Sequence, residues 1–121
     1  MSKTILVVDD FKDTQVLMKF LIEKLGYQVQ QAEDGWKAVE SVKRQVPDLI
    51  LMDMALPSVD GIQATKLIRQ FEGASKIPII AFTASGQFIY QQAMDAGCNA
   101  LIDKPIDIDK LELIIKQYLD T

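Results

Sequence analysis

Apolar positions along the chain fall into short unbroken runs separated by stripes at helical spacing. Ile5 to Val8 is an apolar, β-branched run that ends at Asp9 and Asp10 and reads as a buried first strand. Val16, Leu17, Phe20, Leu21 and Leu25 then recur at helical spacing, which predicts a helix turned inward on this stripe and closed by Gly26. Tyr27 to Gln31 alternates enough for a half-covered second strand. Asp34-Gly35 opens a second helix with Ala38, Val39 and Val42 facing inward, and Pro47 ends the connection that follows. Leu49, Ile50, Leu51 and Met52 form the pattern of a strand covered on both faces, stopping at Asp53. Pro57, Asp60 and Gly61 break the chain and start a third helix, whose stripe is Ala64, Leu67, Ile68 and Phe71. Glu72 to Lys76 is a polar loop. Ile77 to Phe82 runs apolar into Thr83, with Pro78 at the strand entrance where a missing donor does least harm. Ile89, Tyr90, Ala93 and Met94 share a helical face closed by Gly97, and Ala100 to Ile102 is a short last strand running into Asp103-Lys104-Pro105. The final helix buries Leu111, Ile114, Ile115, Tyr118 and Leu119, with Asp107 or Asp109 near its start.

Five strands alternating with five helices make a doubly wound α/β sheet joined by right-handed crossovers. In such a sheet ligands gather outside the carboxyl ends of the strands. The residues at those ends are chemically matched: Asp9 and Asp10 after the first strand, Asp53 after the third, Thr83 after the fourth and Lys104 after the fifth. An isolated Asp after a strand is most often a turn residue or a helix cap. A cap needs one short acid, whereas the first strand offers two, and three converging carboxylates repel one another unless a cation is present. A hard divalent ion such as Mg2+ relieves that repulsion, since it takes oxygen ligands and is usually held by one or two carboxylates together with phosphate oxygens. Such a site suits phosphoryl transfer, where the protein contributes positioning and charge neutralisation. Lys104 adds a mobile positive charge there and Thr83 a hydroxyl donor. Trp36 is expected to pack against the sheet, and Phe11 beside the acid pair.

Composition narrows the options. The 121 residues have room for one core, and no repeat, linker or low-complexity tract interrupts the pattern, so a single domain over residues 1–121 is expected. With 49% hydrophobic and 25% charged residues the composition is that of a soluble globular chain, and the opening Met1-Ser2-Lys3-Thr4 has no apolar signal core behind it. A cytoplasmic location, without membrane attachment, is expected. A net charge of −4 argues against direct nucleic-acid binding, which needs a basic face. The absence of histidine excludes Ser-His-Asp catalysis, His-ligated zinc and a phosphohistidine of the chain's own. Cys98, the single cysteine, has no partner for an internal disulfide and reads as a small buried hydrophobe.

In the paired acids Asp9 and Asp10, in Asp53 followed by Pro57, Asp60 and Gly61, in Thr83-Ala84 after an apolar strand, and in Lys104-Pro105, the chain resembles the response-regulator receiver domains of two-component signalling. The resemblance runs the whole length. It implies a flavodoxin-like fold with strand order 2-1-3-4-5, as in the chemotaxis regulators of the family. It implies that Asp53 is a phosphoacceptor taking a phosphoryl group from a phosphohistidine on a histidine kinase or a histidine phosphotransfer protein. It further implies Mg2+ bound by Asp9, Asp10, Asp53 and the backbone carbonyl of Ala55, with Thr83 and Lys104 on the phosphoryl oxygens and a Lys104-Pro105 bond that is commonly cis. The domain would switch partner binding at its fourth helix, fifth strand and fifth helix, and would assist its own phosphorylation and dephosphorylation rather than turn over external substrates.

Other classes fit less well. An aspartate-nucleophile phosphatase would carry a second Asp two residues after its nucleophile, where this chain has Ala55. A nucleotide- or flavin-binding module would need a glycine-rich loop after the first strand, where this chain has Asp10-Phe11-Lys12-Asp13. Within the signalling class, a receiver belonging to a hybrid histidine kinase is an alternative to the free-standing domain that the Met1 start and the end after the fifth helix favour. The chain also departs from the common receiver pattern: Leu101 stands where relatives often carry an aromatic residue coupled to the threonine, and Ala55 and Ser85 bring no charge near the phosphoryl position.

Overall fold

The computed structural model describes residues 2–56, 59–84 and 86–120. Its elements alternate throughout: β1 (Thr4–Val8), α1 (Lys12–Lys24), β2 (Gln28–Ala32), α2 (Gly35–Arg44), β3 (Leu49–Asp53), α3 (Gly61–Gln70), a 3-10 turn (Glu72–Ala74), β4 (Ile79–Thr83), α4 (Gly86–Ala96), β5 (Ala100–Asp103) and α5 (Ile108–Leu119). The five strands form one parallel sheet in the order β2-β1-β3-β4-β5, as expected. The central strands read as unbroken apolar runs because both faces are covered. Leu6, Val8, Ile50, Met52, Ile79 and Ala81 point into the layer of α2, α3 and α4. Their neighbours Ile5, Val7, Leu49, Leu51, Ile80 and Phe82 point into the layer of α1 and α5.

Local chemistry sets the helix ends. The carboxylates of Asp34, Asp60 and Asp107 accept hydrogen bonds from Lys37 N at 2.7 Å, Gln63 N at 2.9 Å and Asp109 N at 2.9 Å, which starts α2, α3 and α5. Gly26 and Gly97 follow α1 and α4 at φ of 100° and 118°, the left-handed backbone that glycine adopts without a steric penalty. The strand bounds differ from the expected ones by small amounts. β2 begins one residue later, at Gln28, and β4 begins at Ile79, two residues after the expected start, with a 3-10 turn over Glu72–Ala74 in the polar stretch before it. Pro57 and Ser85 lie outside the described residues.

The largest correction concerns α1. The stripe expected to be buried is largely in solvent: Val16 is 69% exposed, Leu17 53% and Phe20 61%, whereas Met18 and Ile22 are buried. Two apolar stripes share this helix, and spacing alone does not choose which one meets the sheet. Trp36 and Phe11 are likewise more than half exposed rather than buried, and Tyr90 of α4 is exposed while Ala93 on the same helix is buried. Cys98 is buried, as expected. Among the described residues no helix is long and apolar enough to cross a membrane.

Candidate metal centre

The parallel sheet ends all its strands on one edge, and that edge collects the residues singled out above. Asp9 and Asp53 are buried, at 1% and 2% exposure, as is Thr83; Asp10 is exposed and Lys104 is partly covered. Each buried carboxylate is held by a backbone N–H two residues further on: Phe11 N donates to Asp9 Oδ1 at 2.8 Å, and Ala55 N donates to Asp53 Oδ1 at 3.0 Å. Lys104 Nζ donates to Asp53 Oδ2 at 3.1 Å and lies 3.9 Å from Asp9 Oδ2. The Lys104-Pro105 bond is cis. Thr83 stands beside Asp103 in the register of β4 and β5, and its carbonyl accepts from Lys104 N at 2.9 Å, which ties the lysine loop to the end of β4. Gly61 starts α3 against β3 so closely that a Cβ there would stand 2.4 Å from the Asp53 carbonyl oxygen; only glycine lets the helix begin this near the strand end.

Sequence reasoning missed two contributors. Phe82 places its ring 5.4 Å from Lys104 Nζ, a cation–π contact that helps hold the ammonium over the sheet edge. Gln15 inserts its side-chain amide between the ends of β1 and β2, donating to Asp9 O and Ala32 O, both at 2.9 Å. A signal for Gln15 existed, since it lies three residues before Met18 and seven before Ile22, on the stripe that is buried. No comparable signal marks the reach of Lys104 to Phe82.

The electrostatics of the cluster are unbalanced. Asp9 Oδ2 is buried without a hydrogen-bond partner. Burial pushes the Asp9 carboxyl above the ordinary carboxylate range; the Phe11 N–H opposes that, Asp53 adds to it, Lys104 opposes it and Asp10 adds to it. One oxygen from each of Asp9, Asp10 and Asp53 lies within 4.8 Å of the others. Octahedral Mg2+ with bonds of about 2.1 Å would separate opposite ligands by about 4.2 Å, so these all-oxygen donors have the spacing and hardness for such an ion. The three carboxylates are thus positioned to bind a metal, and the orphaned Asp9 oxygen is the atom most in need of one.

The family model for the response regulator receiver domain matches residues 5–116. The chain belongs to that family. It is 36% identical over 120 residues to the polar-differentiation response regulator DivK of Brucella ovis, covering 98% of each chain. It is 35% identical over 120 residues to sporulation initiation phosphotransferase F of Bacillus subtilis, covering 98% of this chain and 95% of that one. Among solved structures, the receiver domain of the sensor histidine kinase PA1611 from Pseudomonas aeruginosa matches with a TM-score of 0.93 and 36% identity over 100% of both chains; that structure has a magnesium ion coordinated in its active-site cleft. The fold and the resemblance to receivers are therefore as expected, and the chain is a receiver domain of two-component signalling.

Proposed function

We propose that this receiver takes a phosphoryl group from a phosphohistidine onto Asp53, with Mg2+ bound by Asp9, Asp10, Asp53 and the carbonyl of Ala55. The observation that carries the reading is the state of Asp53: a buried carboxylate with one oxygen held by Ala55 N and the other by Lys104, beside two further acids spaced for a cation. A carboxylate oxygen of Asp53 attacks phosphorus, the P–N bond to the partner's imidazole breaks, and the released ring nitrogen keeps the electron pair and is protonated from solvent. Lys104 shifts from the Asp53 carboxylate to an oxygen of the incoming group, and the Thr83 hydroxyl donates to another. Mg2+, when bound, neutralises the carboxylates and the phosphoryl oxygens together.

The donor is a histidine kinase or a histidine phosphotransfer protein, and similarity to a sporulation phosphotransferase supports a place in a phosphorelay. The similarity to the PA1611 receiver supports a second reading, in which the donor is the kinase core of the same polypeptide. The chain acts in the cytoplasm as a switch rather than as a turnover enzyme, and its output surface is α4, β5 and α5. Incubation with acetyl phosphate and Mg2+, followed by trapping and mass spectrometry, tests the assignment. Label is expected on Asp53 alone and absent from Asp53→Ala; label on another residue, or undiminished labelling of the variant, refutes it.

A further inference from the structure

In an extended strand successive side chains point to opposite faces, so adjacent acids would diverge. Asp9 and Asp10 instead bring one oxygen each within 4.8 Å of each other and of Asp53. The chain must therefore turn between them. β1 ends at Val8, and the carbonyl of Asp9, which belongs to the peptide joining the two acids, leaves the strand ladder. Rotation of that one peptide would re-aim Asp10 relative to Asp9.

The Gln15 side chain meets this carbonyl. Its Nε2 donates its two hydrogens to Asp9 O and Ala32 O, both at 2.9 Å, with Val7 O at 3.2 Å sharing one of them, so one amide group is tied to the ends of two strands. Ala32 O also accepts from Asp9 N at 3.1 Å, which closes the arrangement on the other side of the same residue. Gln15 is itself locked: Gln31 Nε2 donates to Gln15 Oε1 at 3.0 Å and to Gln15 O at 2.9 Å. Three carbonyls around Nε2 and an amide donor at Oε1 leave the Gln15 group a single satisfied orientation.

We infer that Gln15, backed by Gln31, is a positioning residue that fixes the Asp9–Asp10 peptide and so sets the relative aim of the two acids toward a metal ion. The inference rests on the metal-assisted reading above. Outer partners that orient metal ligands typically change affinity by about 10- to 100-fold when lost. Removing the donor alone therefore weakens Mg2+ binding without touching any ligand.

Mg2+ is titrated into native protein, Gln15→Met, Gln31→Leu and Asp10→Asn, with affinity read from amide NMR shifts under conditions where the spectrum shows each variant folded. Gln15→Met is expected to weaken Mg2+ binding roughly tenfold and Gln31→Leu by a smaller factor in the same direction. If native protein binds and Gln15→Met binds within twofold of it, Gln15 only supports the fold and the inference is wrong. Should Gln15→Met fail to fold, Gln31→Leu decides: weakened binding supports the lock, and native affinity overturns it. If native protein and Asp10→Asn respond alike, the metal reading itself fails and takes this inference with it.

Discussion

The two edges of the sheet both contain covered charge, and they treat it in opposite ways. At the amino edge, below β4 and β5, Arg69 donates from Nε and Nη2 to Gly97 O at 3.0 and 2.7 Å, from Nη1 to Ala74 O at 3.0 Å and from Nη2 to Asn99 Oδ1 at 2.9 Å. Asn99 Oδ1 also accepts from Ile79 N at 2.9 Å, so the guanidinium secures the entrance to β4. Burial holds the Arg69 guanidinium below its ordinary pKa, yet each of its three nitrogens donates to a carbonyl or amide oxygen. At the carboxyl edge three carboxylates share one lysine, and Asp9 Oδ2, 3.9 Å from that ammonium, accepts no hydrogen bond. A satisfied network contributes to stability, whereas an unsatisfied one costs stability until a ligand completes it. The contrast singles out the carboxyl edge as the one whose charged groups are left short of partners.

The sharpest way to break this comparison is to remove the arginine. Arg69→Met keeps the stem and leaves two carbonyls and an amide oxygen short of donors, so urea denaturation is expected to show a loss of about 3 kcal/mol. Mg2+ affinity of the folded variant is expected to stay within about twofold, a change below ~0.4 kcal/mol. A large fall in metal affinity would mean that the two edges are coupled, and the division into structural and functional ends would have to be abandoned.

At the other edge the signs reverse. Asp9→Asn removes a buried charge whose Oδ2 accepts no hydrogen bond and lies 3.9 Å from Lys104, so metal-free stability should rise by on the order of 1 kcal/mol. Its Mg2+ affinity should fall by at least about tenfold, ~1.4 kcal/mol. Asp10→Ala should also lose Mg2+ binding and keep the fold, because it relieves repulsion in the metal-free site. Unaltered affinity in both variants would place the ion elsewhere.

A pH series sharpens the same point. The Asp9 carboxyl is raised, chiefly by burial, so the folded state holds its proton to higher pH than the unfolded state does. The stability linked to that proton is fully present below the unfolded pKa of about 3.9 and is lost as pH rises through the folded one. Metal-free protein should therefore lose this increment on leaving the acid range, Asp9→Asn should lack that component, and saturating Mg2+ should reverse its sign by favouring the ionised form. Thermal melts in chelator and in Mg2+ read all three. A metal-free profile unchanged by Asp9→Asn would show that burial of this acid costs nothing.

The smallest expected effect concerns how the carboxyl edge reports its state. Leu101 is partly covered and its Cδ2 lies 3.0 Å from where a Gly86 Cβ would stand, so β5 is already in close contact with the start of α4. With beryllofluoride and Mg2+, amide shifts in α4 are expected to shrink in Thr83→Ala and to grow in Leu101→Tyr, because a ligand biases a two-state equilibrium only by its differential interaction with the states. Intact α4 shifts in Thr83→Ala would remove the threonine from the coupling. Shifts of equal size in Leu101→Tyr would show that this position does not limit it.

By itself the sequence determined the alternation of elements, the capping acids Asp34 and Asp60, the choice of Asp107 or Asp109 at the start of α5, the glycines after α1 and α4, and the strand-end residues Asp9, Asp10, Asp53, Thr83 and Lys104. These were legible because each is a local property: a period, a cap or a backbone conformation that one residue type supplies, placed by the rule that parallel strands end on one edge. Tertiary structure alone decided which of the two apolar stripes of α1 is buried, because both have helical spacing and only the packed sheet distinguishes Met18 and Ile22 from Val16 and Phe20. It alone decided that Lys104 meets Asp53 from 51 residues away and Gln15 meets Ala32 from 17, since a hydrogen bond between distant segments has no trace in the spacing of either. The orphaned oxygen of Asp9 belongs to the same class. Whether a carboxylate is satisfied depends on every donor that folding brings within reach, and here folding leaves one oxygen of a buried acid without a hydrogen bond.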